Sequence, residues 1–108
     1  MKLENANAQM RKGVLELCIL SILSKNACYA SDIIAELKKA EMIVVEGTLY
    51  PMLTRLKNDE LLAYRWEEST QGPPRKYYTL TDKGNLYLEE MRSAFAGMVE
   101  AVNQILNA

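Results

Sequence analysis

Two short strand-like segments joined by a turn constrain the fold most, because the rest of the chain has the periodicity of helices. The first segment alternates two kinds of side chain, with Leu62, Tyr64 and Trp66 on one side and Ala63, Arg65 and Glu67 on the other. The second segment covers residues 75–80, and a turn rich in Gly, Pro and Ser covers residues 69–74. A period of two is typical of strands, and such a composition is typical of turns. These residues predict a β-hairpin in which Tyr78 faces the core and Arg75 and Tyr77 share the other face.

The residues before the hairpin predict three helices. The helices cover residues 9–24, 29–40 and 47–59. Residues 1–8 are polar and predicted to be only partly ordered. Residues 25–28 are predicted to form a turn, and residues 41–46 a short β-prone link. The first helix is apolar on most of its circumference, and such a helix must be enclosed on several sides. In a chain of 108 residues we attribute this enclosure to a second subunit, with Leu15 and Ile19 in the interface.

The last helix carries an apolar seam. Thr81 is a suitable N-cap, and Asp82 follows it in the first turn. Six apolar residues then step by three and four positions, namely Leu88, Met91, Phe95, Met98, Val102 and Ile105. This pattern is typical of helices that pair, so residues 81–108 are predicted to form a C-terminal dimerisation helix. A second interpretation is an effector cavity lined by Met91, Phe95 and Met98, because methionine adapts to varied apolar shapes.

The third helix has one apolar and one polar side. Leu49, Leu53 and Leu56 can enter the core. The outer side holds Thr48, Tyr50, Pro51, Thr54, Arg55 and Lys57, with no acidic residue before Asp59. Hydroxyls and cations donate hydrogen bonds to phosphates and base edges, although an ordinary surface helix can show the same pattern. Pro51 is predicted to lie in the first turn, where its missing N–H does little harm.

Helix, turn, helix and hairpin follow one another in the order of a winged helix-turn-helix. The predicted fold is therefore mainly α with a small β-hairpin. Residues 1–80 form a winged helix-turn-helix DNA-binding domain, and the long C-terminal dimerisation helix follows it. In the wing, Arg75, Lys76 and Tyr77 are predicted to contact the DNA backbone or the minor groove, whose narrow A·T tracts attract arginine. Glu67 and Glu68 would repel phosphate if they pointed the same way.

Composition narrows the remaining possibilities. Thirteen basic and 14 acidic residues give a formal net charge of -1, which argues against a purely electrostatic nucleic-acid binder. The alternative function is a winged-helix adaptor that binds proteins and not DNA. Two cysteines and no histidine predict no disulfide framework, no zinc site, no cofactor and no catalytic group. We see no signal peptide and no apolar run long enough to span a bilayer, so we expect a cytoplasmic protein without a membrane partner.

Several short motifs occur together along the chain. They are Gly13, Leu15 and Tyr29-Ala30-Ser31-Asp32-Ile33, then Gly47-Thr48-Leu49-Tyr50-Pro51 and Arg55-Leu56, and finally Gly72-Pro73-Pro74-Arg75-Lys76-Tyr77-Tyr78 and Gly84. This combination resembles the PadR family of bacterial transcriptional regulators. The resemblance implies a winged helix-turn-helix homodimer, usually a repressor, of the small subgroup with a single C-terminal helix.

The resemblance also implies roles for individual residues. Thr48, Tyr50, Pro51, Thr54 and Arg55 would face the major groove or its phosphates. Tyr29 and Ser31 would touch the DNA backbone, and Arg75 and Lys76 would lie on the wing.

Members of the family differ in the ligands they bind. Some respond to phenolic acids or hydrophobic drugs, and some small members hold planar compounds between their C-terminal helices. The only tryptophan of this chain is Trp66, in the hairpin and not in the last helix. We therefore expect a homodimeric repressor that binds an inverted-repeat operator in double-stranded DNA. One hypothesis is that a small hydrophobic or phenolic effector releases it; regulation by a partner protein, or by no effector, is the alternative.

Overall fold

The computed structural model describes residues 2–108, and within them four helices surround a small three-stranded antiparallel sheet. The elements are α1 (Leu3–Lys25), β1 (Cys28–Tyr29), α2 (Ala30–Lys39), α3 (Glu46–Asn58), β2 (Leu62–Glu67), β3 (Arg75–Leu80) and α4 (Asp82–Leu106). This order confirms the predicted fold class, a winged helix-turn-helix followed by one long helix. None of the helices in residues 2–108 combines the length and apolarity needed to cross a bilayer.

The core forms where the apolar sides of the four helices meet the sheet. The side chains with almost no exposed surface are Ile19, Leu20, Ile33, Leu49, Leu53, Leu56 and Leu88. Three of them belong to α3, and burying each leucine contributes about 2 kcal/mol relative to leaving it exposed. The predicted inner side of α3 is therefore confirmed, and it fixes which residues of that helix face solvent.

β3 is the middle strand of the sheet, because it pairs with β1 on one side and β2 on the other. Tyr78 pairs with Tyr64 of β2 and is buried, as predicted. The strand β1 was not predicted. Cys28 pairs with Tyr78 and Tyr29 with Tyr77, so the predicted turn at 25–28 is wrong at its last residue. β1 has only two residues, which are too few to show the alternating sequence pattern from which a strand is predicted.

The link between α2 and α3 is not a strand, contrary to the β-prone prediction for 41–46. α2 ends in a Schellman motif, in which the N–H of Met42 donates to the carbonyl of Leu37 at 2.8 Å. Glu41 takes the left-handed position of this motif, with φ of 61°. Glu60 takes the same position after α3, with φ of 64°, and the N–H of Leu61 donates to Leu56. Two tight helix ends thus set the path of the chain around α3.

α1 is longer than predicted, because it begins at Leu3 and not near residue 9. Its first ten residues contain Ala, Met, Gln, Glu and Lys, which favour helix, and no Gly or Pro precedes Gly13. Leu15 and Ile19 lie in the core of the single chain, where α1 packs against α2, β3 and α4. They have almost no surface left to bury against a second subunit, so the prediction that these two side chains lie in the interface is wrong.

α4 begins at a cap that ties it to the end of α3. The Thr81 hydroxyl accepts a hydrogen bond from the N–H of Gly84 at 2.9 Å, which confirms the predicted N-cap. The same hydroxyl lies 2.7 Å from the carbonyl oxygen of Glu60, to which it can donate. Gly84 packs directly on the backbone of Leu61, so a Cβ at this position would overlap the Leu61 carbonyl oxygen.

The rest of α4 changes from buried to exposed along its length. Leu88 is 1% exposed and Met91 is half-buried against the core, so Leu88 has no surface for a second subunit. The later seam residues Phe95, Met98, Val102 and Ile105 are all exposed in the single chain. α4 therefore packs against α1 near its start and presents an uncovered apolar seam beyond it.

Candidate nucleic-acid interface

The outer side of α3 is divided between two neighbours. Tyr50 and Lys57 lie toward the wing, which we define as β2, β3 and the turn between them. The Nζ atom of Lys57 is 5.8 Å from the centre of the Tyr64 ring, and Thr54 lies with Lys57 beside Tyr64. Arg55 lies toward α1, where its Nη2 atom is 2.7 Å from Oε1 of Glu16. Thr48 is half-buried.

Pro51 is the sixth residue of α3 and not part of its first turn, because the helix begins at Glu46. Proline has no N–H, so the α-helical bond to the carbonyl of Gly47 is missing. Both residues are exposed, and water can satisfy that carbonyl. Pro51 therefore contributes a rigid apolar surface at the outermost part of the helix.

The wing carries cations on both faces, each beside aromatic rings. On the face toward α3, the Nζ atom of Lys76 lies 4.5 Å from the Tyr64 ring centre and 5.5 Å from that of Trp66. On the other face, the Arg75 guanidinium lies 4.0 Å from the ring centre of Tyr29. Cation–π contacts of this kind contribute about 0.5–1 kcal/mol each at exposed sites. The rings hold both cations close to the sheet.

The start of α2 is attached to the wing through β1. The rings of Tyr29 and Tyr77 meet edge to face, with centroids 5.1 Å apart. The Tyr29 N–H donates to Oδ2 of Asp32 at 3.0 Å, which satisfies one free N–H group at the helix start. Ser31 is exposed beside it. The structure therefore brings Tyr29, Ser31, Tyr50, Arg75 and Lys76 together, whereas Arg55 is directed toward α1.

A cleft of about 350 Å³ lies between α2, α3 and the wing. Its lining includes Tyr29, Ser31, Tyr50, Trp66, Arg75 and Lys76. Trp66 and Tyr64 were not selected from sequence, because strand alternation indicated only that they share a face. The presence of aromatic residues next to basic residues in two paired strands was the sequence pattern that could have identified them.

The charges on this side are distributed favourably for an anion. Among residues 2–108, Lys57, Arg75 and Lys76 have no carboxylate within 4.0 Å. Glu67, which could have repelled phosphate, forms an ion pair with Arg65 at 2.7 Å. A locally basic surface therefore exists on a chain whose net charge is -1.

Neither cysteine has the lowered thiol pKa of a reactive nucleophile, because burial raises the pKa of both Cys18 and Cys28. Burial, together with the smaller effect of the nearby Asp32 and Glu36 carboxylates, raises the pKa of the Cys28 thiol to about 11. The thiol is therefore protonated near neutral pH and is a poor nucleophile. Residues 2–108 contain no group of three or more His, Cys, Asp or Glu side chains that could hold a metal ion.

Known proteins share this arrangement of elements. The sequence profile described as the transcriptional regulator PadR-like family matches residues 19–90. A PadR-like transcription factor from Bacteroides fragilis is 61% identical, with a TM-score of 0.79; the match covers 94% of this chain and 98% of that one. A PadR-like transcriptional regulator from Bacillus cereus is 40% identical, with a TM-score of 0.80 and coverage of 93% and 98%.

A PadR family transcriptional regulator from Eggerthella lenta superposes most fully of these three, with a TM-score of 0.90 at 29% identity. That match covers 96% of this chain and 91% of the other. The family consists of DNA-binding regulators of transcription and not of enzymes. Both the profile match and the two more similar structures lead to one assignment. The chain belongs to the PadR-like family of transcriptional regulators.

Proposed function

We propose that the protein is a homodimeric repressor that binds an inverted-repeat operator in double-stranded DNA. α3 enters the major groove, and the wing contacts the flanking backbone or minor groove. The observation that carries this proposal is the common orientation of Tyr50, Thr54 and Lys57 on α3 and of Lys76 on the wing. In this arrangement residues 1–80 read DNA and residues 81–108 join the two subunits.

Most of the affinity comes from phosphate contacts. Lys57, Arg75 and Lys76 are free of carboxylate partners within residues 2–108, so binding to phosphate breaks no ion pair in the protein. Neutralising phosphates releases counterions, and binding therefore weakens as salt rises. Tyr29, Ser31 and Tyr77 lie at the junction of α2 and the wing and are proposed to contact the same strand of the backbone.

The exposed part of the seam supports the dimer. Phe95, Met98, Val102 and Ile105 follow a pairing pattern and are uncovered in one chain, which is an unfavourable state for an apolar stripe in water. Pairing of two α4 helices would cover the stripe. Binding to an inverted repeat further requires that the two copies of α3 lie about 34 Å apart, one turn of DNA.

Replacing Lys76 with alanine is expected to weaken binding to all DNA sequences by a similar factor. The Lys76 ammonium is proposed to contact a phosphate, so the slope of log affinity against log salt should fall by about one. The measurement is a mobility shift with duplex DNA selected by the protein from a randomised library, at several salt concentrations. Lys38→Ala, at the far end of α2, removes the same charge and should leave the slope unchanged. Equal slopes for the two variants and the unaltered protein would contradict the wing contact.

We further propose that a small hydrophobic or phenolic effector binds between the two copies of α4, against Met91, Phe95 and Met98. Phe95→Ala should raise the effector concentration needed for DNA release by about tenfold or more, because burying a phenyl ring contributes about 2 kcal/mol. The assay titrates aromatic acids and apolar drugs into the protein–DNA complex. Ile105→Ala, at the far end of the seam, serves as the control. Release by no compound, or equal loss in both variants, would refute this site.

A further inference from the structure

The contact between Arg55 and Glu16 joins the helix proposed to read DNA to a helix that does not enter the groove. Arg55 lies on α3 and Glu16 on α1, 39 positions apart in sequence. Among residues 2–108 it is the one ion pair that links two different elements, since the others lie within α2, β2 and α4. A contact so placed controls where the Arg55 side chain points.

Glu16 is well suited to hold another side chain in place. Its side chain is 30% exposed, and its neighbour Leu15 and the following Ile19 are anchored in the core. The backbone that carries the carboxylate is therefore held in place. Arg55 is 57% exposed and carries a long side chain with roughly 2 kcal/mol of rotamer entropy. Without a partner, its guanidinium would sample many positions.

The ion pair leaves much of the guanidinium free. Arginine has five N–H donors, and the bond to Glu16 uses one at Nη2. The hydrogen bond and charge of Glu16 raise the pKa of Arg55, so the guanidinium remains fully charged. Guanine presents two acceptors, O6 and N7, in the major groove, and arginine meets them with two donors. One arginine can therefore hold Glu16 and a guanine at once.

We infer that Glu16 is a positioning residue that holds the Arg55 guanidinium for a guanine in each half-site of the operator. Glu16 thereby sets sequence specificity, whereas the wing cations supply affinity. The inference rests on the proposed function, because it requires α3 to read the major groove. If the Glu16 carboxylate only repelled phosphates, or only stabilised the packing of α1 on α3, its replacement would change the affinity for all DNA sequences by the same factor.

The test compares base preferences of matched variants. The unaltered protein, Glu16→Gln, Arg55→Ala and the double variant each select from one randomised duplex library. Affinities are then measured for the best sequence and for each single base change in it. Glu89→Gln removes the same charge from the Glu89–Arg92 pair on α4 and controls for net charge.

We expect Arg55→Ala to abolish the preference for guanine at one position of the half-site. Glu16→Gln should reduce discrimination at that position by about tenfold and leave the other positions unchanged. Adding Glu16→Gln to Arg55→Ala should change nothing further. Arg55→Lys, which keeps the charge but lacks the planar fork, should lose the same preference.

Three results overturn the inference. The first is a Glu16→Gln profile equal to that of the unaltered protein. The second is a uniform change in affinity for all sequences, in either direction, whether or not the melting temperature changes. The third is an Arg55→Ala profile that keeps every base preference. If the unaltered protein enriches no sequence at all, the proposed function itself fails, and that outcome is distinct from the other three.

Discussion

Replacing Gly84 with alanine is expected to lower the free energy of unfolding by about 3 kcal/mol, at the upper end of the cost of overpacking. The new methyl group would overlap the carbonyl oxygen of Leu61 and lie 2.6 Å from Cδ1 of Leu80. The carbonyl cannot move away freely, because it accepts a hydrogen bond from the N–H of Thr81 at 3.1 Å. Chemical denaturation of the purified protein measures the change, and the melting temperature should fall by roughly 10–20 °C.

Gly97→Ala is the matched control for this substitution, since both glycines lie in α4. No atom lies within 4 Å of a Cβ built at Gly97. Alanine favours a helix over glycine by up to about 1 kcal/mol, so stability should stay the same or rise. A similar loss in both variants would show that the start of α4 is not packed tightly on Leu61.

Replacing Met98 with aspartate is expected to abolish the dimer and, with it, tight binding to the operator. Met98 lies in the middle of the exposed seam, and pairing would bury a charge there without a partner. A monomer engages one half-site, so it loses the advantage of a second linked contact, which amounts to about 100-fold or more in affinity. Sedimentation velocity reports the oligomeric state, and a mobility shift reports the affinity.

Ser93→Asp introduces the same charge into α4 on the side away from the seam, where Ser93 is exposed. It should leave both the oligomeric state and the affinity unchanged. A Met98→Asp protein that stays dimeric would place the subunit interface elsewhere. A monomer that binds the operator as tightly as the unaltered protein would show that dimerisation is not needed for recognition.

Local patterns were sufficient to predict most of the fold. The three leucines of α3 recur at helical spacing, and all three are buried. The hairpin follows from alternation and a turn, and the cap at Thr81 follows from residue type alone. In each case the residues that interact lie within a few positions of one another, where periodicity and propensity carry the information.

The missed features depend on contacts between distant parts of the chain. β1 exists because Cys28 and Tyr29 pair with a strand that follows almost fifty residues later. Position 84 requires glycine because the backbone of Leu61 packs against it. The side chain of Arg55 is directed toward α1 because it forms an ion pair with Glu16. No periodicity in a single segment reports such contacts.

The assignment of Leu15 and Ile19 to a subunit interface was wrong for a related reason. An apolar helix must be enclosed, but the sequence does not say by which elements. α2, β3 and α4 of the same chain pack against α1, and Leu15 and Ile19 are buried within the single chain. Tyr50, Lys57 and Lys76 lie on the same side of the molecule because the buried leucines and the strand register orient α3 and the wing.

The central place of β3 has a consequence for how the protein is made. Of the three strands, β3 is synthesised last, yet the other two pair only with it. A nascent chain that ends before residue 75 leaves β1 and β2 without a common partner. The proposed DNA-contacting surface can therefore assemble only after translation has passed β3. Truncated products of interrupted synthesis that lack β3 would therefore lack the proposed DNA-contacting surface.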